Sequence, residues 1–561
     1  MKSAELRKKF LEFFKKNGHA IVASSSLLPT DPSVLFTTAG MQQFKPYYLG
    51  EKSPWGLNVA SCQKCIRTSD IEEVGDERHL TFFEMLGNFS FGGYWKKEAI
   101  ELAYKFIVDE LNLEIDYVTV FEGNKNVPFD EESYNIWKSL GIDEAKIKKA
   151  GMEDNFWGPT GDGGPCGPTT EIYVNPSPDG SGPAVEIWNI VFNEFFCDGS
   201  REQLLKGESK LTPLDIKGID TGMGLERLAM VCQSVPTVFD TDLFDKFISI
   251  LHNDIDFKKK RILADHIRAI GFMVQDGVCP SNKDAGYILR RLMRRVFAQH
   301  KMENIKLGID WVCTKFEKIY ELNNKNIEEV LNEEWKQFIV ALDLGVKELN
   351  KLVNIDSATA FKLYSSYGLP LDVIKDKFSN FDIKKFEEEF KKHQELSRTA
   401  SAGMFKGGLA DDKPKTIKLH TAHHLLLATL QELFGKQVKQ KGSNINSERL
   451  RFDFSFDRKL TDEEKKKIED IVNDKISEGL EVVKKEMPIE EAKKIGAEME
   501  FGVKYGNTVS VYFIQDKQGN IFSKEFCGGP HVENTNQLGK FNIIKEEASS
   551  QGVRRIKATL E

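Results

Sequence analysis

Apolar and charged residues interleave over Met1–Phe14 with the spacing of an amphipathic helix, with Glu5 and Glu12 on its polar side. Glu98–Leu111 repeats the helical pattern. Val185–Phe192 is a short apolar run with β character. Up to about residue 240 such runs alternate with Gly, Pro and aromatics, which predicts one large mixed α/β domain, residues 1–240. The texture then changes. Residues 258–300 and 314–398 carry Lys, Glu, Leu, Ile and Phe at helical spacing with few Gly or Pro, which predicts a helical domain over 241–410. Residues 398–414 are small, polar and broken by Gly and Pro, as a linker or exposed loop is. Beyond it a helix is predicted at 417–434, a strand at 448–456, a helix at 461–485 and a strand at 508–514. Together they make a smaller α+β domain over 411–561. No internal repeat interrupts this order.

Composition places the chain among soluble globular proteins: 561 residues, 40% hydrophobic and 29% charged. It excludes a fibre, a disordered chain and a membrane protein. The 78 Lys+Arg against 86 Asp+Glu give a net charge of -8, no sign of a nucleic-acid partner. Divided at the predicted boundaries, the picture changes. Residues 1–240 carry 24 basic and 36 acidic residues, 241–410 carry 28 and 25, and 411–561 carry 26 and 25. The acidity belongs to the first segment. The helical segment gathers Lys283, Arg290, Arg291, Arg294, Arg295 and Lys301 around one predicted helix, a stripe that suits an RNA stem. Eight scattered Cys, no apolar stretch of about 18 residues and no signal or transit peptide predict a cytoplasmic protein.

Four of the ten His fall between 420 and 531. His420 and His424 stand four apart on a predicted helix and share a face. Cys527-Gly-Gly-Pro-His531 follows in a Gly-rich turn. Two imidazoles plus Cys-x3-His form a donor set that Zn2+ favours. His423 competes with His424, since three apart also shares a face. Cys62 and Cys65 lack a second pair to close a metal site and read as two buried thiols. No phosphate loop of the G-x-x-x-x-G-K-[ST] type is present. Ile219–Arg227 instead puts Gly222 and Gly224 before a helix, with Arg227 placed to stack on a base or pair with phosphate. Arg67 opens a strand–loop–strand hairpin.

Phe36–Phe44, Thr81–Gly92, Gly164–Pro168, Glu186–Phe192 and Asp220–Arg227 resemble the blocks of alanyl-tRNA synthetases. So do Ala264–Arg268, Gly286–Arg295, the His/Cys set, Gln440–Ser443 and Arg449–Phe454. They run in family order from end to end. The resemblance implies an α+β multidomain chain: a class II synthetase antiparallel β-sheet catalytic domain, a helical tRNA-recognition domain and a small zinc-binding editing-like domain. It implies ATP, Mg2+ and Zn2+ as cofactors, and alanine, ATP and tRNA(Ala) as partners. Arg67 matches the arginine on the α-phosphate and the alanine carboxylate. Arg227 matches the one over adenine, with Phe83 on the other adenine face, and Gly222 and Gly224 beside the nucleotide. Asp220 matches the carboxylate that pairs with the alanine ammonium. Met41, Trp157, Asn189 and Val191 match the pocket walls. His420, His424, Cys527 and His531 match the metal set, and Gln440 a lining residue of the editing domain.

The chain departs from that pattern in three places. A β-barrel lobe before the zinc helix is missing, and Pro530 replaces a Thr in the Cys-Gly-Gly-Thr-His turn. Hydrolysis of Ser- or Gly-tRNA(Ala) is the activity this puts in question. The C-terminal domain that supports oligomers is not found after Glu561, so a monomer is expected. Of the Asn and Asp that read a G·U pair in the acceptor stem, Asp372 matches the Asp. Lys301 stands at the Asn position, unless Asn304 substitutes. Two other classes remain as readings, a catalytically silent RNA-binding relative and a trans-editing hydrolase. Intact Arg67, Asp220 and Arg227 favour the ligase.

Overall fold

A computed structural model describes residues 1–31, 33–177, 181–367, 369, 371–378, 381–386, 388–389, 413–498, 508–550 and 552–561. Most of the predicted linker at 398–414 lies outside them. The chain divides into two compact units. One is Met1–Ile355 with Lys362–Asn380, the other Asp356–Phe361 with Phe381–Glu561.

The first unit is built on nine strands: β1 (Ala20–Val22), β2 (Asn58–Ile66), β3 (Phe82–Phe91), β4 (Tyr117–Phe121), β5 (Ile147–Ala150), β6 (Phe156–Trp157), β7 (Gly164–Val174), β8 (Val185–Cys197) and β9 (Leu211–Gly224). Their order is β1-β2-β3-β9-β8-β7-β4-β5, with β6 on β7. Only β1–β2 and β4–β5, at the two ends, pair in parallel. The predicted hairpin is β2 and β3, in register from Ile66↔Phe82 to Asn58↔Ser90.

Because side chains alternate along a strand, each central strand serves two faces. Trp188, Ile190 and Phe192 of β8 pack against Leu6, Phe10 and Phe14 of helix Ser3–Lys16 and Leu228 of helix Leu225–Cys232. Each such burial stabilises by about 1.5–3 kcal/mol. The opposite face combines polar side chains with a second apolar cluster around Met85 and Phe89.

Helices Phe257–Gln275, Asp284–Gln299, Met302–Phe316 and Asn324–Lys351 belong to the same unit. Helix Phe257–Gln275 carries the Ala264–Arg268 block, and its ring Phe272 stacks on Phe82 at 4.2 Å. Arg268, fully buried, donates to Glu226 at 2.7 Å and to the carbonyl of Phe82 at 2.5 Å. Asp265 accepts from the backbone N–H of Thr81 at 2.9 Å. Glu84, equally buried, accepts from Arg7 at 2.9 and 2.5 Å and from the Tyr320 hydroxyl at 2.9 Å. Cys62 donates to the same carboxylate at 3.4 Å, and Cys62 and Cys65 are two buried thiols as expected. Burial raises the Glu226 carboxyl and the Arg268 charge opposes that shift. Arg268→Ala would strand Glu226 in the core and is expected to cost about 3 kcal/mol. Chemical denaturation checks it; a loss under 1 kcal/mol would show that Glu226 finds another partner.

The second unit holds strands β10 (Gln440–Ile445), β11 (Leu450–Ser455), β12 (Glu481–Pro488), β13 (Thr508–Gln515), β14 (Ile521–Phe526), β15 (Phe541–Ser550) and β16 (Val553–Leu560). One sheet runs β10-β11-β16-β15, the other β12-β13-β14. Helix Pro414–Phe434 lays Leu419, Leu426 and Leu430 on Phe452, Phe454 and Ile556. The helix predicted at 461–485 is shorter. It starts on a capping box, Thr461 with Glu464, and spans Asp462–Ser477. Gly479 then takes φ +67°, a conformation that favours glycine, and Glu481–Pro488 is a strand pairing with β13. The β-branched Val482 and Val483 favour that outcome.

Candidate active site and metal centre

A cavity of about 380 Å³ opens on the face of the first sheet turned away from helix Ser3–Lys16. Its floor follows the period of two. Phe83 and Met85 of β3, Asp220, Gly222 and Gly224 of β9, Asn189 and Val191 of β8, and Glu171 and Tyr173 of β7 all line it. Register places them side by side: Met85↔Gly224, Asn189↔Gly222, Val191↔Asp220 and Glu171↔Asn189. A Cβ at Gly222 would stand 3.0 Å from the Met85 sulfur, so glycine keeps this part of the floor low.

Seven carboxylates and three arginines line the cavity, part of the acidic excess of the first segment. Arg67 follows β2, its N–H bonded to the Thr81 carbonyl at 3.0 Å and its guanidinium 5.0 Å over the Phe83 ring. Arg227, in the first turn of helix Leu225–Cys232, pairs with Glu186 at 3.0 Å. Asp220 is 4% exposed, and burial pushes its carboxyl up to about 8. Glu171 is pushed up to about 7, first by burial and then by the Glu186 charge. It takes hydrogen bonds from the Asn189 amide at 2.8 Å and the Tyr173 hydroxyl at 2.9 Å.

Nine of the ten residues expected here converge: Arg67, Phe83, Trp157, Asn189, Val191, Asp220, Gly222, Gly224 and Arg227. Met41 is not among the described lining residues. It is fully buried behind the wall, in a cluster with Met85 and Phe89 against which Trp157 packs. Glu171, Tyr173 and Glu186 were missed. Glu171 lies three residues past the Gly164–Pro168 block, and continuing the strand period from there reaches it.

The arginines of helix Asp284–Gln299 meet protein acceptors. Arg290 and Arg294 both reach Glu334, at 3.0 and 3.1 Å, and Arg291 pairs with Glu72. Arg295 is 5% exposed and donates to the Ile71 carbonyl. It therefore faces the core rather than solvent. Lys301 is exposed at the N-cap of helix Met302–Phe316. Asp372 falls in helix Leu371–Lys377, and its side chain lies outside the described residues.

In the second unit His420 and His424 of helix Pro414–Phe434 meet Cys527 and His531, with one ligand atom of each within 4.8 Å of the others. Cys527 Sγ is 3.4 Å from the Nε2 atoms of His420 and His531. A tetrahedron with bonds of about 2.3 Å to sulfur and 2.0 Å to nitrogen has an edge of roughly 3.5 Å, so the set fits such an ion. The other ring nitrogens are held from behind. His420 Nδ1 meets the Pro530 carbonyl at 3.0 Å, His531 Nδ1 the Thr421 hydroxyl at 3.2 Å, and His424 Nδ1 the Glu525 carboxylate at 2.5 Å. Burial would raise the Cys527 thiol, but hydrogen bonds from the three histidines outweigh it and hold the thiol far down. The thiolate is the form a metal takes. Gln440 opens β10, its amide 3.5 Å from the Ser443 hydroxyl.

No helix among the described residues is long and apolar enough to cross a membrane. Residues 5–448 match the family described as tRNA synthetases class II (A), and residues 509–557 match the threonyl and alanyl tRNA synthetase second additional domain. The alanine–tRNA ligase of Borreliella afzelii (strain PKo) is 45% identical over 600 aligned residues, covering 99% of each chain. That of Treponema denticola is 44% identical over 610, covering 99% of this chain and 98% of its own. The apo histidyl-tRNA synthetase of S. aureus aligns over 41% of this chain and 65% of its own, at a TM-score of 0.27 and 11% identity. Matched along nearly its whole length, the chain belongs to the alanyl-tRNA synthetase family of class II tRNA synthetases.

Proposed function

We propose that this chain is an alanine–tRNA ligase: it joins alanine to AMP at the expense of ATP, then passes the alanyl group to the 3′ end of tRNA(Ala). The observation that carries the reading is the convergence of Arg67, Asp220 and Arg227 on one small cavity. The alanine carboxylate attacks the α-phosphorus, an O–P bond forms, and the bond to pyrophosphate breaks. This step asks for positioning and charge neutralisation rather than proton transfer. Arg67 bridges the alanine carboxylate and the α-phosphate. Arg227 leaves Glu186 to cover the adenine, with Phe83 on its other face, over the low floor at Gly222 and Gly224. Asp220 pairs with the ammonium. Asn189, held by Glu171, and Val191 and Trp157 bound the methyl group, with Met41 supporting Trp157 from behind. Mg2+ would accompany ATP and supply charge neutralisation at its phosphates.

Such a wall rejects large side chains but discriminates a missing methyl or an added hydroxyl by only about 1–3 kcal/mol. The second unit supplies the editing-like part, with Gln440 among its lining residues. His420, His424, Cys527 and His531 would hold Zn2+, which cross-links the helix to the turn as a closed four-donor site. Residues 1–240 form the aminoacylation domain, 241–410 the tRNA-recognition domain and 411–561 the zinc-binding domain. Lys301 and Asp372 stand at the acceptor stem, with Arg290, Arg291, Arg294 and Arg295 shaping the helix behind Lys301. Its place of action is the cytoplasm. Alanine-dependent exchange of labelled pyrophosphate into ATP tests the reading, and no exchange would overturn it.

Asp220 gives the reading a pH signature. Its folded-state pKa of about 8 lies above the ordinary 3.8, so the empty native protein holds a proton that the unfolded chain releases. That stability is complete below about pH 4 and is lost as pH rises through 8. The melting temperature of the empty protein is expected to fall between pH 6 and 8.5 more steeply than that of Asp220→Asn. Alanine affinity is expected to rise over the same range, as the carboxylate ionises. Parallel melting curves for the two proteins would show that Asp220 is not the group responsible.

A further inference from the structure

Helix Pro414–Phe434 carries one more histidine than the four-donor centre uses. His423 is 3% exposed, and neither of its ring nitrogens has a hydrogen-bond partner among the described residues. A neutral imidazole presents one donor and one acceptor, and leaving either unmet in a buried site is costly. The His423 ring stands edge-on to Phe452 at 4.9 Å and 5.3 Å from the ring of His424. Consecutive helical residues diverge by about 100°, so a group common to both must sit between them. Glu525 of β14 does so. Its Oε2 lies 2.5 Å from His424 Nδ1, while its Oε1 takes the Ser523 hydroxyl at 2.8 Å. One ligand atom from each of His423, His424 and Glu525 lies within 4.8 Å of the others, and all three residues are buried.

We propose that His423, His424 and Glu525 hold a second transition-metal cation beside the first centre, with His424 serving both ions through its two ring nitrogens. Two imidazole nitrogens and one carboxylate oxygen suit Zn2+ or Co2+ rather than Mg2+ or Ca2+. The ion gives the unpartnered nitrogen of His423 its partner. Binding releases a proton from the His424 ring, because both of its nitrogens are then ligands. The second site contains no sulfur, so the two ions differ in their spectra.

Titration of the metal-free full chain with Co2+ alone separates the two sites. Two equivalents are expected to bind. The thiolate-to-cobalt charge-transfer band from Cys527 saturates with one of them, while the d–d absorption grows with both. His423→Gln is expected to bind one equivalent, with the charge-transfer band intact. One equivalent on the wild type, with the band present, overturns the second site and leaves the first standing. Two equivalents on His423→Gln also overturn it. No bound cobalt at all overturns both centres. The wild-type stoichiometry decides the matter even if the variant fails to fold, which its far-UV circular dichroism reports.

Discussion

Arg67→Ala is expected to lower alanine-dependent pyrophosphate exchange by about 10³-fold, roughly 4 kcal/mol of transition-state stabilisation, while leaving the melting temperature within a degree or two. The two halves of that expectation come from one geometry. The guanidinium rests over Phe83, half-buried at the rim of the cavity, and forms no ion pair among the described residues. Removing it leaves no buried carboxylate stranded, so the fold loses little. The charge is kept for a ligand, and the ligand's phosphate gains negative charge on its equatorial oxygens as the reaction proceeds. Because Arg67 also holds the alanine carboxylate, the loss falls on both kcat and the KM for alanine. Arg67→Lys restores a charge but not the planar fork, and is expected to recover only part of the rate. Arg227→Ala makes the comparison sharper. That arginine already pairs with Glu186, so its removal also frees a carboxylate, and both stability and rate should move. An Arg67→Ala enzyme within tenfold of wild type would remove Arg67 from the reacting centre.

Chelation of the His/Cys centre, or Cys527→Ala, is expected to lower the melting transition of the second unit by about 10–20 °C and to leave exchange within about twofold. Ligation of structural zinc contributes several kcal/mol or more to folding, and each kcal/mol moves a unit of this size by about 2–4 °C. The unit has its own core of Leu426, Phe452, Phe454 and Ile556, so it weakens rather than unfolds. Exchange needs only the cavity of the first unit, which contains none of these ligands. Differential scanning calorimetry with and without chelator, run beside the exchange assay, checks both halves. An unchanged transition would mean that the four side chains hold the turn without a metal.

Much of the site is legible in the sequence because it obeys local periods. Asp220, Gly222 and Gly224 are two apart on one strand, and His420 and His424 are four apart on one helix, so each set announces a common face. The hairpin that presents Arg67 and Phe83 follows from two runs of strand-forming residues. What escaped depends on partners distant in the chain. The stripe Arg290, Arg291, Arg294 and Arg295 has the periodicity of a solvent face, yet Glu334 and Glu72 occupy three of the four and the core takes Arg295. Glu171 was hidden by the end of a Gly/Pro-rich block, although its strand carries it to Asn189. Helix 461–485 was overrun because Lys and Glu beyond Gly479 keep a helical composition. There the pairing of Val482 with Ile514 decides, and no local pattern shows it.

The buried carboxylates of β3 and the helix beside it also set a schedule for synthesis. Glu84 is held by Arg7 at one end of the chain and Tyr320 far along it, and Glu226 waits for Arg268. A nascent chain that has emerged only to residue 240 possesses every cavity residue named above and two acids with unfinished company. At roughly 5–20 residues per second, the ribosome needs about 4–16 s more to deliver Tyr320. Over that interval the strand that floors the cavity is incompletely tied. An excised 1–240 fragment would lack both Arg268 and Tyr320, leaving Glu226 without its buried arginine and Glu84 with Arg7 but without the Tyr320 hydroxyl.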